Sequence, residues 1–123
     1  MVYETSRSVF VVDDDEFVRD ALKTLLRSAG YDVQTFESAE AFLDHDAEKL
    51  TGLLILDIRM PGMSGLELQK RLADAGRKLP IIFITAHEDA RVRKAALEEG
   101  AEAFLQKPFE DETLLGAVQR VIG

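Results

Sequence analysis

The chain has 123 residues, 46% hydrophobic and 31% charged, with no cysteine and a formal net charge of −8. Such a length predicts one domain over residues 1–123, able to bury roughly two-thirds of its unfolded surface. The composition excludes disulfides and thiolate metal sites and argues against direct nucleic-acid binding, which needs a basic face.

In chain order, residues 1–7 lack the apolar core of a signal peptide, and no later apolar run approaches the ~18 residues of a membrane helix, so a cytoplasmic protein with no membrane contact is expected. Val9-Phe10-Val11-Val12 reads as a buried strand. Val18, Ala21, Leu22, Leu25, Leu26 and Ala29 then recur at helical spacing until Gly30. Residues 31–36 form a short strand, and Ser38 starts a helix with Ala39, Phe42 and Leu43 on one side. Leu53-Leu54-Ile55-Leu56 is the continuous apolar run of a strand covered on both faces. Ser64 and Glu67 spell a capping box for a helix ending at Gly76. Residues 81–84 are a fourth strand, Val92, Ala95 and Ala96 mark a helix ending at Gly100, and residues 103–105 are a fifth strand. Leu114, Leu115, Val118, Val121 and Ile122 define the last helix.

Five strand–helix units predict a doubly wound α/β fold of flavodoxin-like type, a five-stranded parallel sheet in the order 2-1-3-4-5 with five helices. Strands one and three then flank the topological switch point, where ligands bind beyond the strands' carboxyl ends. Asp13 and Asp14 close the first strand, Asp57 the third, Thr85 the fourth, and Lys107 follows the fifth. Carboxylates gathered with one lysine, and no histidine or cysteine, suit a hard divalent cation and a phosphoryl group to be received.

The stretches Val11-Val12-Asp13-Asp14-Asp15, Leu56-Asp57-Ile58-Arg59-Met60-Pro61-Gly62-Met63-Ser64-Gly65, Ile84-Thr85-Ala86 and Gln106-Lys107-Pro108-Phe109 resemble, in that order, the receiver domain of two-component response regulators. Ser38-Ala39-Glu40-Ala41-Phe42-Leu43 and Lys107-Pro108-Phe109-Glu110-Asp111 resemble the FixJ-type subgroup. The resemblance implies Asp57 as phosphoacceptor and a sensor histidine kinase as donor. It implies Mg²⁺, with Mn²⁺ able to substitute, held by Asp14, Asp57 and the Arg59 backbone carbonyl, with Asp13 acting directly or through water. Thr85 and Lys107 would contact phosphoryl oxygens, Phe104 would be the aromatic switch, and the Lys107–Pro108 bond would be cis. It further implies a homodimer or partner face on the fourth helix, fifth strand and fifth helix. The output would be transcription through a domain absent from this chain, the alternative being a stand-alone receiver acting through protein contacts. The receiver would promote its own phosphorylation and dephosphorylation without being a turnover enzyme.

The chemistry is coherent with these residues. Neighbouring carboxylates oppose one another's ionisation, so a cation must occupy their pocket before one of them attacks phosphorus. Mg²⁺ serves with few carboxylates and bridges nucleophile and phosphate. Blander readings compete residue by residue. Asp15 and Glu16 suit a helix start, with Asp15 as its cap. Thr85 alone reads as a strand-end hydroxyl bonded to backbone, Lys107 as a surface lysine and Phe104 as core. His45 and His87 lack metal-ligand partners, and Arg91, Arg93 and Lys94 read as a solvated helix face. Two rival classes are a haloacid dehalogenase-like phosphatase, against which Arg59 stands where a second acid is needed, and a flavodoxin-type binding module, against which acids stand where a phosphate loop is needed.

Overall fold

The computed structural model describes residues 7–45 and 51–123. Strands β1 (Ser8–Val12), β2 (Asp32–Phe36), β3 (Leu53–Asp57), β4 (Ile81–Thr85) and β5 (Ala103–Gln106) alternate with helices α1 (Glu16–Ser28), α2 (Ala39–Asp44), α3 (Gly65–Asp74), α4 (Ala90–Glu98) and α5 (Asp111–Ile122). All strands are parallel, in the order β2-β1-β3-β4-β5. The expected topology is therefore present, with β1 and β3 adjacent at the switch point.

Burial follows from that order. The inner strands β3 and β4 are buried at every residue, whereas β2 and β5, at the edges, are only partly covered. Because successive strand side chains point to opposite faces, each strand feeds two cores. Val9, Val11, Leu53, Ile55, Ile82 and Ile84 meet Leu22 and Leu26 of α1 and Leu114 and Val118 of α5. Phe10, Val12, Leu54, Leu56 and Phe83 meet Phe42 of α2, Leu68 and Leu72 of α3 and Ala96 of α4. Truncating a fully buried anchor such as Leu26 or Phe42 to alanine is expected to cost about 3–5 kcal/mol.

Local chemistry starts the helices where the site needs them. The Asp15 side chain accepts from the Phe17 and Val18 amides at the head of α1, as its sequence position suggested. Ser38 caps α2, and Ser64 with Glu67 closes the expected capping box at α3. Asp89, which sequence reading passed over, caps α4 through the Arg91 and Val92 amides. The Gln69 side-chain amide donates to the Ala96 carbonyl at 2.9 Å in a buried bond that ties α3 to the end of α4. Among the described residues, no helix is long and apolar enough to cross a membrane.

Candidate functional site

β1 delivers Asp13 into the interior at its carboxyl end. Its side chain is fully buried, a costly place for a carboxylate unless every lone pair is used. One oxygen accepts the Asp15 amide at 2.9 Å and the other accepts Lys107 Nζ at 2.7 Å. The Asp13 carbonyl accepts Arg19 Nη1 at 2.7 Å, so α1 clamps the backbone that carries the acid. Asp14, next in the chain, is exposed.

Asp57 is the last residue of β3, paired with Ile84 of β4 and only 5% exposed. Its Oδ1 accepts the Ile58 amide at 2.9 Å and lies 3.7 Å from Lys107 Nζ. Burial, and next the Asp13 carboxylate, push the Asp57 carboxyl from its ordinary 3.8 up to about 6. Lys107 and the Ile58 amide pull it down, and Asp14 adds a smaller upward push. At neutral pH the group is thus ionised against resistance. The start of α3 is pressed onto this strand end: a methyl group on Gly65 would overlap the Asp57 carbonyl, and the Gly65 amide donates to the Ile58 carbonyl at 2.9 Å. Residues 58–64 are therefore a closed loop above the carboxylate.

Carboxylate oxygens of Asp13, Asp14 and Asp57 lie within 4.8 Å of one another. An all-oxygen donor set carrying an excess of negative charge, one member of which resists ionisation, fits a hard divalent cation. Lys107 enters from the loop after β5, whose start is held by a 2.7 Å bond from the Lys107 amide to the Thr85 carbonyl. The Lys107–Pro108 bond is cis, as expected.

Thr85 is buried at the end of β4, but its hydroxyl engages the backbone two residues on. Oγ1 accepts the His87 amide and donates to the His87 carbonyl, each at 3.1 Å. Phe104 is half-buried on β5 against the second core, its ring 6.2 Å from that of Phe83. Arg59, His45 and His87 are exposed. The structure thus gathers Asp13, Asp14, Asp57 and Lys107, and leaves Thr85 and Phe104 on the adjoining strands. Sequence reading missed Arg19, whose contact with Asp13 spans α1's first turn, and Glu40, whose carboxylate accepts the Met63 amide at 3.1 Å from a position 23 residues away.

Fold and site together define a doubly wound α/β domain with a cation-ready acidic pocket at its switch point. The chain belongs to the response regulator receiver domain family, whose model matches residues 9–119. It is 50% identical to the transcriptional regulatory protein TdiR of Thauera aromatica over 94% of this chain and 51% of that protein. It is 41% identical to the transcriptional regulatory protein FixJ of Bradyrhizobium diazoefficiens over 96% of this chain and 58% of that protein. Among solved structures, response regulator StyR matches with a TM-score of 0.88 at 50% identity, over 94% of this chain and 58% of that one. FixJ-N matches with a TM-score of 0.85 at 40% identity, over 98% and 94%. The chain spans about half the length of curated relatives such as TdiR and TmoT. Family membership sets aside the dehalogenase-like and flavodoxin-type readings.

Proposed function

We propose that this domain is a phosphorylation-controlled switch in which Asp57 receives a phosphoryl group from a sensor histidine kinase. The observation that carries the reading is the buried Asp57 carboxylate, opposed in its ionisation by Asp13 and reached by Lys107. An Asp57 oxygen attacks phosphorus, the phosphorus–nitrogen bond of the donor phosphohistidine breaks, and the leaving imidazole takes up a proton from solvent. Asp14, Asp57 and the Arg59 carbonyl, with Asp13 directly or through water, are the groups that would hold Mg²⁺. The ion supplies charge neutralisation between carboxylate and phosphate and orients the phosphoryl oxygens. Lys107 holds Asp13 and offers its cation to the same oxygens. Phe17, 85% exposed in the first turn of α1 and four residues from Asp13, leaves apolar surface beside the pocket for a protein donor.

The new charge of about −1.5 to −2 on Asp57 competes for the Thr85 hydroxyl. Thr85 engages the phosphoryl group by giving up its His87 partner, and the segment leading through α4 to Phe104 repacks. The face of α4, β5 and α5 then dimerises or docks a partner. The likeness to the transcriptional regulatory proteins TdiR and FixJ supports transcription as the output, through a domain beyond these residues. Incubation with acetyl phosphate and Mg²⁺ should add one phosphate by intact mass. Asp57→Asn should add none, and a chelator should block the reaction; labelling of Asp57→Asn at the parent's level would overturn the assignment.

A further inference from the structure

The loop of residues 58–64 carries the Arg59 carbonyl, and the acidic pocket's own hold on it is the bond from the Ile58 amide to Asp57. At its base it closes through the Gly65–Ile58 backbone bond, and Met60 anchors it in the core below. Its outer turn is fastened by carboxylates from two helices. The Ser64 amide donates to Glu67 of α3 at 3.4 Å, and the Met63 amide donates to Glu40 of α2 at 3.1 Å. Gly62, immediately before, has φ +79°, and a side chain there would run into the Glu40 carboxylate. The Glu40 head group is therefore seated against the bare backbone of the turn. It comes from the second residue of a helix whose own position is fixed by fully buried Phe42 and Ala39.

We propose that Glu40 is a positioning residue for the metal-binding loop, its bond to the Met63 amide holding residues 58–64 in the conformation that presents the Arg59 carbonyl. This rests on reading Asp13, Asp14, Asp57 and Arg59 as a Mg²⁺ site. Glu40 touches neither the ion nor the phosphoryl group. Its contribution is to restrict the loop before the ion arrives, so that binding does not have to order it. Without the bond the carbonyl samples other directions, and affinity falls although every ligand remains.

The test is Mg²⁺ titration of the unphosphorylated protein, followed by amide chemical shifts, with hydrogen exchange of the Met63 amide measured in parallel. Glu40→Ala should speed Met63 exchange and weaken Mg²⁺ binding by about three- to tenfold, the worth of one exposed hydrogen bond. Glu40→Gln keeps an acceptor oxygen and should restore both to the parent's values. A Glu40→Ala variant that binds Mg²⁺ as the parent does would overturn the proposal. So would an equal loss in Glu40→Gln, which would assign the effect to charge at a distance. A parent that binds no Mg²⁺ at all would instead overturn the reading of the acidic site, and this inference with it.

Discussion

Replacing Asp57 by asparagine removes a charge that the fold resists and leaves the shape almost unchanged. The carboxyl titrates near 3.8 when exposed and at about 6 in the folded protein. Each pH unit between those values is worth about 1.4 kcal/mol, so ionised Asp57 costs the folded state about 3 kcal/mol above pH 6. The sign is set by proton counting: between 3.8 and 6 the folded chain binds the proton that the unfolded chain has lost. Stability associated with this group is thus intact in acid and is lost as pH rises to about 6. Asparagine keeps an oxygen to accept the Ile58 amide. Lys107's attraction is already included in the balance that sets the value near 6. Asp57→Asn should therefore be more stable than the parent at pH 7.5 without divalent ions, by about 2–3 kcal/mol, raising the urea midpoint by about 1–2 M. At pH 5 the gap should shrink to about half. Excess Mg²⁺ should narrow it at pH 7.5, since an ion held at the proposed site would stabilise the folded parent and relieve the carboxylate. Urea unfolding followed by circular dichroism at both pH values measures each quantity. A variant no more stable than the parent at pH 7.5, or a gap that does not shrink on acidification, would show that the fold does not oppose ionisation of Asp57.

Lys107→Ala leaves fully buried Asp13 without its 2.7 Å partner and should cost about 3 kcal/mol of stability in urea unfolding. It should also push Asp57 further up, because Lys107 holds that carboxyl down; an unchanged titration of Asp57 would count against the pairing. Beryllofluoride with Mg²⁺, standing in for the phosphoryl group, should alter hydrogen exchange across residues 86–106 as Thr85 leaves His87. Identical protection with binding confirmed would defeat the switch. Arg59 and His87 supply neither carboxylate nor amide to orient a hydrolytic water, so phosphate loss from Asp57 should be slow. Replacing Arg59 by Asn and His87 by Glu together should speed that decay after donor removal; decay at the parent's rate would mean that these side chains do not govern water access.

The architecture was legible because β3 and β4 carry no polar residue until they end, and each helix repeats its apolar positions every three or four residues. Strand ends were less so. β3, β4 and β5 run one residue further than apolarity suggests, to Asp57, Thr85 and Gln106, because backbone pairing continues after the side chains turn polar. The polar edge that builds the pocket was visible for the same reason the strands were: Asp13, Asp57 and Lys107 stand where apolar runs stop. What the sequence concealed is how those residues differ. Asp13 and Asp14 are neighbours of one type, yet one is sealed onto Lys107 and the other faces solvent, a distinction set by β1's pleat and by a strand some 90 residues away. Thr85's grip on His87, Arg19's on Asp13 and Gln69's on Ala96 have no periodic trace, since each depends on where a side chain meets a single backbone group.

The ion pair between Asp13 and Lys107 joins residues 94 apart in the chain. During synthesis both acidic strands, β1 and β3, emerge well before Lys107, so for that interval their acids lack this partner. On the proposed function, competence to receive phosphate would therefore arrive only once Lys107, just past the last strand, is in place. A chain cut before Lys107 would leave Asp13 and Asp57 without that cation and would not answer a phosphodonor. On that reading, readiness to be signalled would certify complete folding, through the same contact that stabilises the finished domain.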